Sequence, residues 1–359
     1  MVKKFLQTNI KDGNASAEGF PISNGMNILI ITGIYPPEIG GPAEYAKNLK
    51  DVWATRGHSV SVKIFGQFRK WPWGLRHIIF FFYILPSVRN ADYIVALDAF
   101  SAGVVTVASK LFSKTIIFRT GGDVVWELYT ERTGEMVLLR DFYKTCLGKL
   151  SLKEKIIFSL MKWTLRNISA IVWSTEWQKN IFMESYGLQK QKHFIIENYY
   201  GPRLEFVQPT SKNFVGATRK LKWKNIEMLR QVFESKEVKI TGAVLDTDSV
   251  PHGEFLEKIR RSYAVIVASL GDISPNTILD AIRCRKPFIV TRETGLSDRI
   301  KGIALFVDPK NSGDILEKVL WLCDKDNYES QVQKVGSFDF VHSWEDVADE
   351  YIALYNQLK

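Results

Sequence analysis

Short apolar runs rich in isoleucine and valine alternate along the chain with longer stretches in which apolar residues recur every three or four positions. The first run, residues 26–32 (MNILIIT), is continuous and reads as a strand buried on both faces, the habit of a parallel sheet. Residues 33–41 follow as a loop closed by Gly40 and Gly41. Pro42 suits the first turn of a helix, where its missing N–H is not needed. That helix passes through Tyr45, Leu49 and Trp53 and stops at Gly57; residues 59–65 alternate as the next strand. The same rhythm predicts helices over 75–89, 102–111, 155–166 and 175–186, strands over 93–97, 115–119 and 170–173, and a last element over 193–198.

Residues 201–212 break the rhythm and read as a linker. It then restarts with strand 213–216, helix 226–233, strands 238–241 and 264–268, helix 276–283, and strands 287–290 and 303–307; an amphipathic helix over 344–358 closes the chain. Alternation of this kind specifies an α/β class with doubly wound sheets and right-handed crossovers. Two Rossmann-like domains facing a central cleft are the economical solution, with ligands outside the carboxyl ends of the strands. The expected division is a flexible N-terminal tail over 1–25, domains over 26–205 and 206–335, and a C-terminal helix over 336–359 that can pack back on the first domain. The tail is polar and Gly/Ser/Asn-rich, and its basic start lacks the apolar run of a signal peptide.

A length of 359 residues suits two domains, and 46% hydrophobic content supplies their cores. The formal charge of +9 favours an anionic partner: nucleic acid, nucleotide phosphate or acidic lipid. Nucleic acid is the weakest of these, because the cations are dispersed and no binding motif occurs. Three cysteines and five histidines are scattered without ligand spacing, so no metal site is expected, and the sparse thiols suit a reducing, cytoplasmic setting. The longest apolar run, 78–85, is far short of the roughly 20 residues that span a bilayer. The basic, aromatic stretch before it, 68–77 (FRKWPWGLRH), is read in two ways: as a loop leading to a core helix, or as a peripheral contact with the anionic inner face of a membrane.

Candidate chemistry concentrates in residues 269–282 (SLGDISPNTILDAI), where Asp272 and Asp280 stand eight residues apart between a buried strand and a helix. Unpaired N–H groups and the helix dipole make a helix start a phosphate site. The N–H groups of Asn276 and Thr277 would face a diphosphate, with Ser274 in the same turn; Asp272 would face sugar hydroxyls and Asp280, one turn into the helix, a ribose. Arg219, Lys222 and Lys224 follow the first strand after the linker and could neutralise a departing phosphate or form a solvated basic face. Asp123 follows two glycines at a strand end, as a loop cap or as a group at the reaction centre, with Arg119 a second candidate there. Residues 246–248 (DTD) could hold a nucleotide-bound metal but read better as a polar loop.

Four landmarks spanning residues 26 to about 320 resemble, in order, the retaining glycosyltransferases of family 4, which have the GT-B fold: 31–42 (ITGIYPPEIGGP), 119–127 (RTGGDVVWE), 219–225 (RKLKWKN) and the acidic pair, aspartate here where the family usually has glutamate. The resemblance implies an N-terminal acceptor-side domain, a C-terminal domain that binds a nucleoside-diphosphate sugar, and transfer to a hydroxyl of a glycan or lipid-linked acceptor with retention. It implies no cofactor and no metal, since the nucleotide sugar is a substrate. It assigns catalysis to Asp123, Arg219, Lys224 and Asp272, and donor binding to Gly40, Gly41, Ser274, Asn276, Thr277 and Asp280. Trp126 and Glu127 are read as structural, and Ser174 and Glu176 as helix-starting residues. The family places a glycine just before the arginine where this chain has Thr218, its nearest glycine being Gly216. The rival readings are a catalytically inactive binding protein of the same fold and a sugar-nucleotide epimerase. Replacing Asp272 by alanine is expected to abolish transfer with little loss of folding.

Overall fold

The computed structural model describes residues 25–38, 40–217 and 219–359. The N-terminal tail, Ile39 of the glycine loop and Thr218 lie outside the described residues. The first lobe runs β1 (Asn27–Thr32), α1 (Gly41–Thr55), β2 (Ser59–Ile64), α2 (Leu75–Asn90), β3 (Tyr93–Ala96), α3 (Ala99–Leu111), β4 (Thr115–Arg119), α4 (Val124–Thr133), α5 (Leu139–Thr145), α6 (Leu152–Leu165), β5 (Ala170–Trp173), α7 (Glu176–Tyr186) and β6 (His193–Ile195). The second runs β7 (Asn213–Val215), α8 (Ile226–Glu234), α9 (Lys236–Thr241), β8 (Val244–Asp246), α10 (His252–Arg261), β9 (Ala264–Val267), α11 (Asn276–Arg283), β10 (Phe288–Thr291), α12 (Ser297–Ile300), β11 (Leu305–Val307), α13 (Ser312–Cys323) and α14 (Lys325–Gly336), and α15 (Trp344–Leu358) ends the chain.

Each lobe holds one wholly parallel sheet, ordered β2-β1-β3-β4-β5-β6 in the first and β11-β10-β9-β7-β8 in the second. These are two Rossmann-like α/β domains. Successive side chains of a strand point to opposite faces, so β1 sends Leu29 and Ile31 into one core and Ile28 and Ile30 into the other. The first core lies under α2, α3 and α6. The second lies under α1 and α15, so the last helix of the chain packs against the first lobe. Trp53 Nε1 donates to Ala348 O at 3.2 Å, the Tyr45 and Tyr351 hydroxyls meet at 3.3 Å, and the Tyr93 and Tyr355 rings stack at 4.4 Å.

Residues 238–241 do not form the expected strand. They belong to α9, because the Ser235 side chain caps its start and Gly242, at φ 75°, ends it; the β-branched run is overridden by these two stops, and the strand moves on to β8. The helices α4 and α5 of the first lobe and α10, α12, α13 and α14 of the second are not among the expected elements.

Candidate functional site

The lobes meet where the β1–α1 turn of the first faces the start of α11 in the second. The β1–α1 turn brings Gly41 so close to the tip of α11 that a Cβ on it would lie 3.4 Å from Asn276 Nδ2. No side chain caps the N-terminus of α11, so the N–H groups of Asn276 and Thr277 point out of the helix start without a built-in acceptor side chain. Just before it, the Ser274 hydroxyl is buried with no partner among the described residues, while its carbonyl accepts from Asn198 Nδ2 at 3.4 Å. Asn198 in turn accepts from Arg119, which also donates to Ser174 Oγ at 3.0 Å and lies 3.8 Å over the Tyr45 ring. A polar chain therefore runs from the end of β4 in one lobe to the α11 turn of the other.

The second half of the site is a charged cluster. Asn225, in the left-handed region at φ 59°, ends a short 3-10 turn over Lys222–Lys224 and is pinned by its side chain to Ala268 O and Pro309 O. That turn delivers Lys224 Nζ to Asp272 Oδ2 at 2.5 Å, and Ser269 Oγ donates to the same oxygen at 3.3 Å. The pair is mostly closed off, with side-chain exposures of 15% and 12%. Trp223 packs on Trp126 of the first lobe at 5.3 Å, and Lys224 lies over the Trp223 ring. Lys222 faces elsewhere, its backbone N–H donating to Glu131 at 2.7 Å.

Asp123 takes the cap position, one of the two readings the sequence left open. Its Oδ1 accepts from the N–H groups of Val125 and Trp126 at 3.0 and 3.1 Å, and its Oδ2 accepts from the Tyr143 hydroxyl. Burial pushes this carboxyl up to about 6, against the pull of those donors. The helix it caps presents Glu127, read from the sequence as structural. Glu127 stands against Gly122, where a Cβ would come 2.3 Å from its Oε1. Burial lifts its carboxyl to about 7; the charges of Arg219 and Lys224 pull it down, and Asp123 and Asp272 push it up. Glu127 thus feels the charges of all four residues that the resemblance assigns to catalysis. The signal for it was the Trp-Glu ending of the 119–127 landmark.

Asp280 is buried on the second turn of α11 and accepts from Arg283 at 3.5 Å. Ser174 and Glu176 flank the true cap of α7, which is Thr175. Asp246 is taken by Lys258, Nζ to Oδ1 at 2.6 Å. A contact that no motif foreshadowed joins the lobes beside Asp272: Arg140 of α5 makes a two-point ion pair with Glu293, which is 3% exposed and whose carbonyl accepts from the Asp272 N–H at 2.8 Å. No local sequence pattern pairs residues 153 positions apart.

Neither a protein-family model nor a curated protein matches the sequence. Solved structures do. Sucrose-phosphate synthase from Thermosynechococcus elongatus superposes with a TM-score of 0.67 at 12% identity, over 92% of this chain and 99% of that one. The catalytic domain of starch synthase IV from Arabidopsis thaliana, bound to ADP and acarbose, gives 0.61 at 14% identity, over 93% and 99%. HepE from Anabaena, in complex with UDP-glucose, gives 0.60 at 12%, over 93% and 98%. At these identities the likeness is one of fold, and the fold is GT-B.

Proposed function

We propose that the chain is a retaining, family 4-like glycosyltransferase that moves a sugar from a nucleoside-diphosphate sugar to a hydroxyl of a glycan or lipid-linked acceptor. The observation that supports this reading is the Lys224–Asp272 pair just before the α11 tip, with Gly41 set against Asn276 and the charge of Arg219 acting on Glu127. Departure of the nucleotide places negative charge on its outer phosphate. Arg219, Lys224 and the N–H groups of Asn276 and Thr277 stabilise that charge, which is usually the largest single contribution in such chemistry. These cations do the work a metal ion would do elsewhere, so no cofactor is needed. Asp272, held beside Lys224, orients the sugar hydroxyls, and Ser274 offers its unpartnered hydroxyl to the donor. The Asp280–Arg283 contact opens for Asp280 to reach the ribose. Asp123 acts through position, by capping the helix that carries Glu127 to the cluster. With an oxocarbenium-like centre formed, the acceptor hydroxyl attacks from the face the phosphate leaves, and the phosphate takes its proton. Solved neighbours bearing UDP-glucose and ADP support the donor class.

Thermal unfolding of the protein with a panel of UDP-, ADP- and GDP-sugars in EDTA tests this reading. A donor at 100 times its dissociation constant adds about 2.7 kcal/mol to stability, so one or more members should raise Tm by several degrees. If no nucleotide sugar does so, the reading fails. A shift without transfer to any hydroxyl acceptor would favour the non-catalytic binding protein, and conversion of the donor without an acceptor would favour the epimerase.

A further inference from the structure

The cations are dispersed, but their excess over acids is not. Residues 65–91, 99–114 and 151–166 together hold ten Lys/Arg and one acid, Glu154, so the other 38 cations and 38 acids of the chain cancel and the whole +9 resides in these three segments. Glu154 is itself buried against Arg132 and closes the capping box of α6. The three segments are adjacent. They supply α2, α3 and α6, which line up on the face of the first sheet away from α15, and their inward residues Phe80, Val105 and Ile157 belong to one core. Lys110 of α3 reaches Asn167 and lies 5.7 Å over Trp163 of α6.

The outward faces are apolar where solvent would favour polar side chains. Thirteen of the 17 large hydrophobic residues most exposed among the described residues lie in these segments. They recur at helical spacing: Ile78 and Phe82 on α2, at 56% and 64% exposure, and Leu152, Ile156, Leu160 and Trp163 on α6. Exposed apolar faces this extensive mark interaction surfaces. A protein partner would meet this apolar face with a patterned mix of charge; a face that is positive but for Glu38, which pairs with Arg69 at 2.8 Å, with apolar stripes and tryptophans beside arginines, matches a negatively charged, laterally uniform surface with a greasy interior.

We propose that the outer faces of α2, α3 and α6 form one docking surface for an anionic lipid bilayer. The aromatic and aliphatic side chains enter the headgroup zone, and the lysines and arginines around them pair with lipid phosphates. The attachment is peripheral: α2 has 16 residues, and no helix among the described residues is long and apolar enough to cross a membrane. This extends the 68–77 reading from one loop to a three-helix face, and it stands whether or not the site between the lobes transfers sugar.

Flotation of the full-length protein with vesicles of phosphatidylcholine containing about 30% phosphatidylglycerol, against pure phosphatidylcholine, tests it. The protein should float with the anionic vesicles only and be released by roughly 0.5 M salt. Phe82→Glu with Leu160→Glu should weaken binding at least about 10-fold with Tm unchanged, because both sites are exposed. Lys153→Glu with Lys155→Glu, which leaves the apolar stripe intact, should weaken it on anionic vesicles too. Failure of the native protein to float, or flotation of both double variants like the native protein, overturns the proposal. Self-association that Phe82→Glu with Leu160→Glu abolishes, without any flotation, overturns it in favour of a second copy of this chain.

Discussion

The Lys224–Asp272 pair allows the site and the fold to be tested with one set of variants. At 2.5 Å and with exposures of 15% and 12%, the two charges are largely out of water, and each is the main compensation for the other. Removing one partner of such a pair leaves an uncompensated charge and costs about 3 kcal/mol, whereas removing both leaves none. Lys224→Met and Asp272→Asn should therefore each lower stability by about 3 kcal/mol, and the double variant by little more than either alone, a coupling of about 2 kcal/mol or more in a double-mutant cycle. Urea unfolding followed by fluorescence supplies the numbers. Transfer by both single variants should fall about 10²–10³-fold, because each loses a group aimed at the developing charge or at the sugar. The structure thus revises the expectation that Asp272→Ala leaves folding intact. Strictly additive stability losses would show that the pair is not formed in solution, and a fully active Asp272→Asn would remove the acid from the donor site.

Two further outcomes follow from the same geometry. Glu127 has its carboxyl raised from 4.5 to about 7, so the folded protein binds the extra proton and the group's contribution to stability is complete below pH 4.5 and lost as pH rises through 7. Glu127→Gln, neutral throughout, should match the native protein near pH 4.5 and exceed it by up to about 3 kcal/mol at pH 8; a difference that does not change with pH would contradict the burial of this carboxyl. Tyr351 is fully buried between Trp53 and Tyr45, and Tyr351→Ala should cost about 3–5 kcal/mol in urea unfolding by opening a cavity between the last helix and the first lobe. A loss below about 1 kcal/mol would mean that α15 does not pack there.

The sequence by itself determined the order and type of most strands, the two parallel sheets and the turn that opens α11, because each rests on local information: a short apolar run, a glycine or a proline at a fixed offset. Its one inverted element, residues 238–241, shows the limit of that information, since a β-branched run lost to a serine cap and a stopping glycine. Tertiary structure alone decided that Lys224 would meet Asp272, that the second oxygen of Asp123 would be taken by Tyr143, and that Glu127 would feel the charges of Arg219, Lys224 and Asp272. It also joined Arg140 to Glu293 across the lobes and set three separately unremarkable basic helices side by side. These outcomes depend on which surfaces the sheets turn toward each other, and contacts between residues tens to hundreds of positions apart leave no periodic trace along the chain.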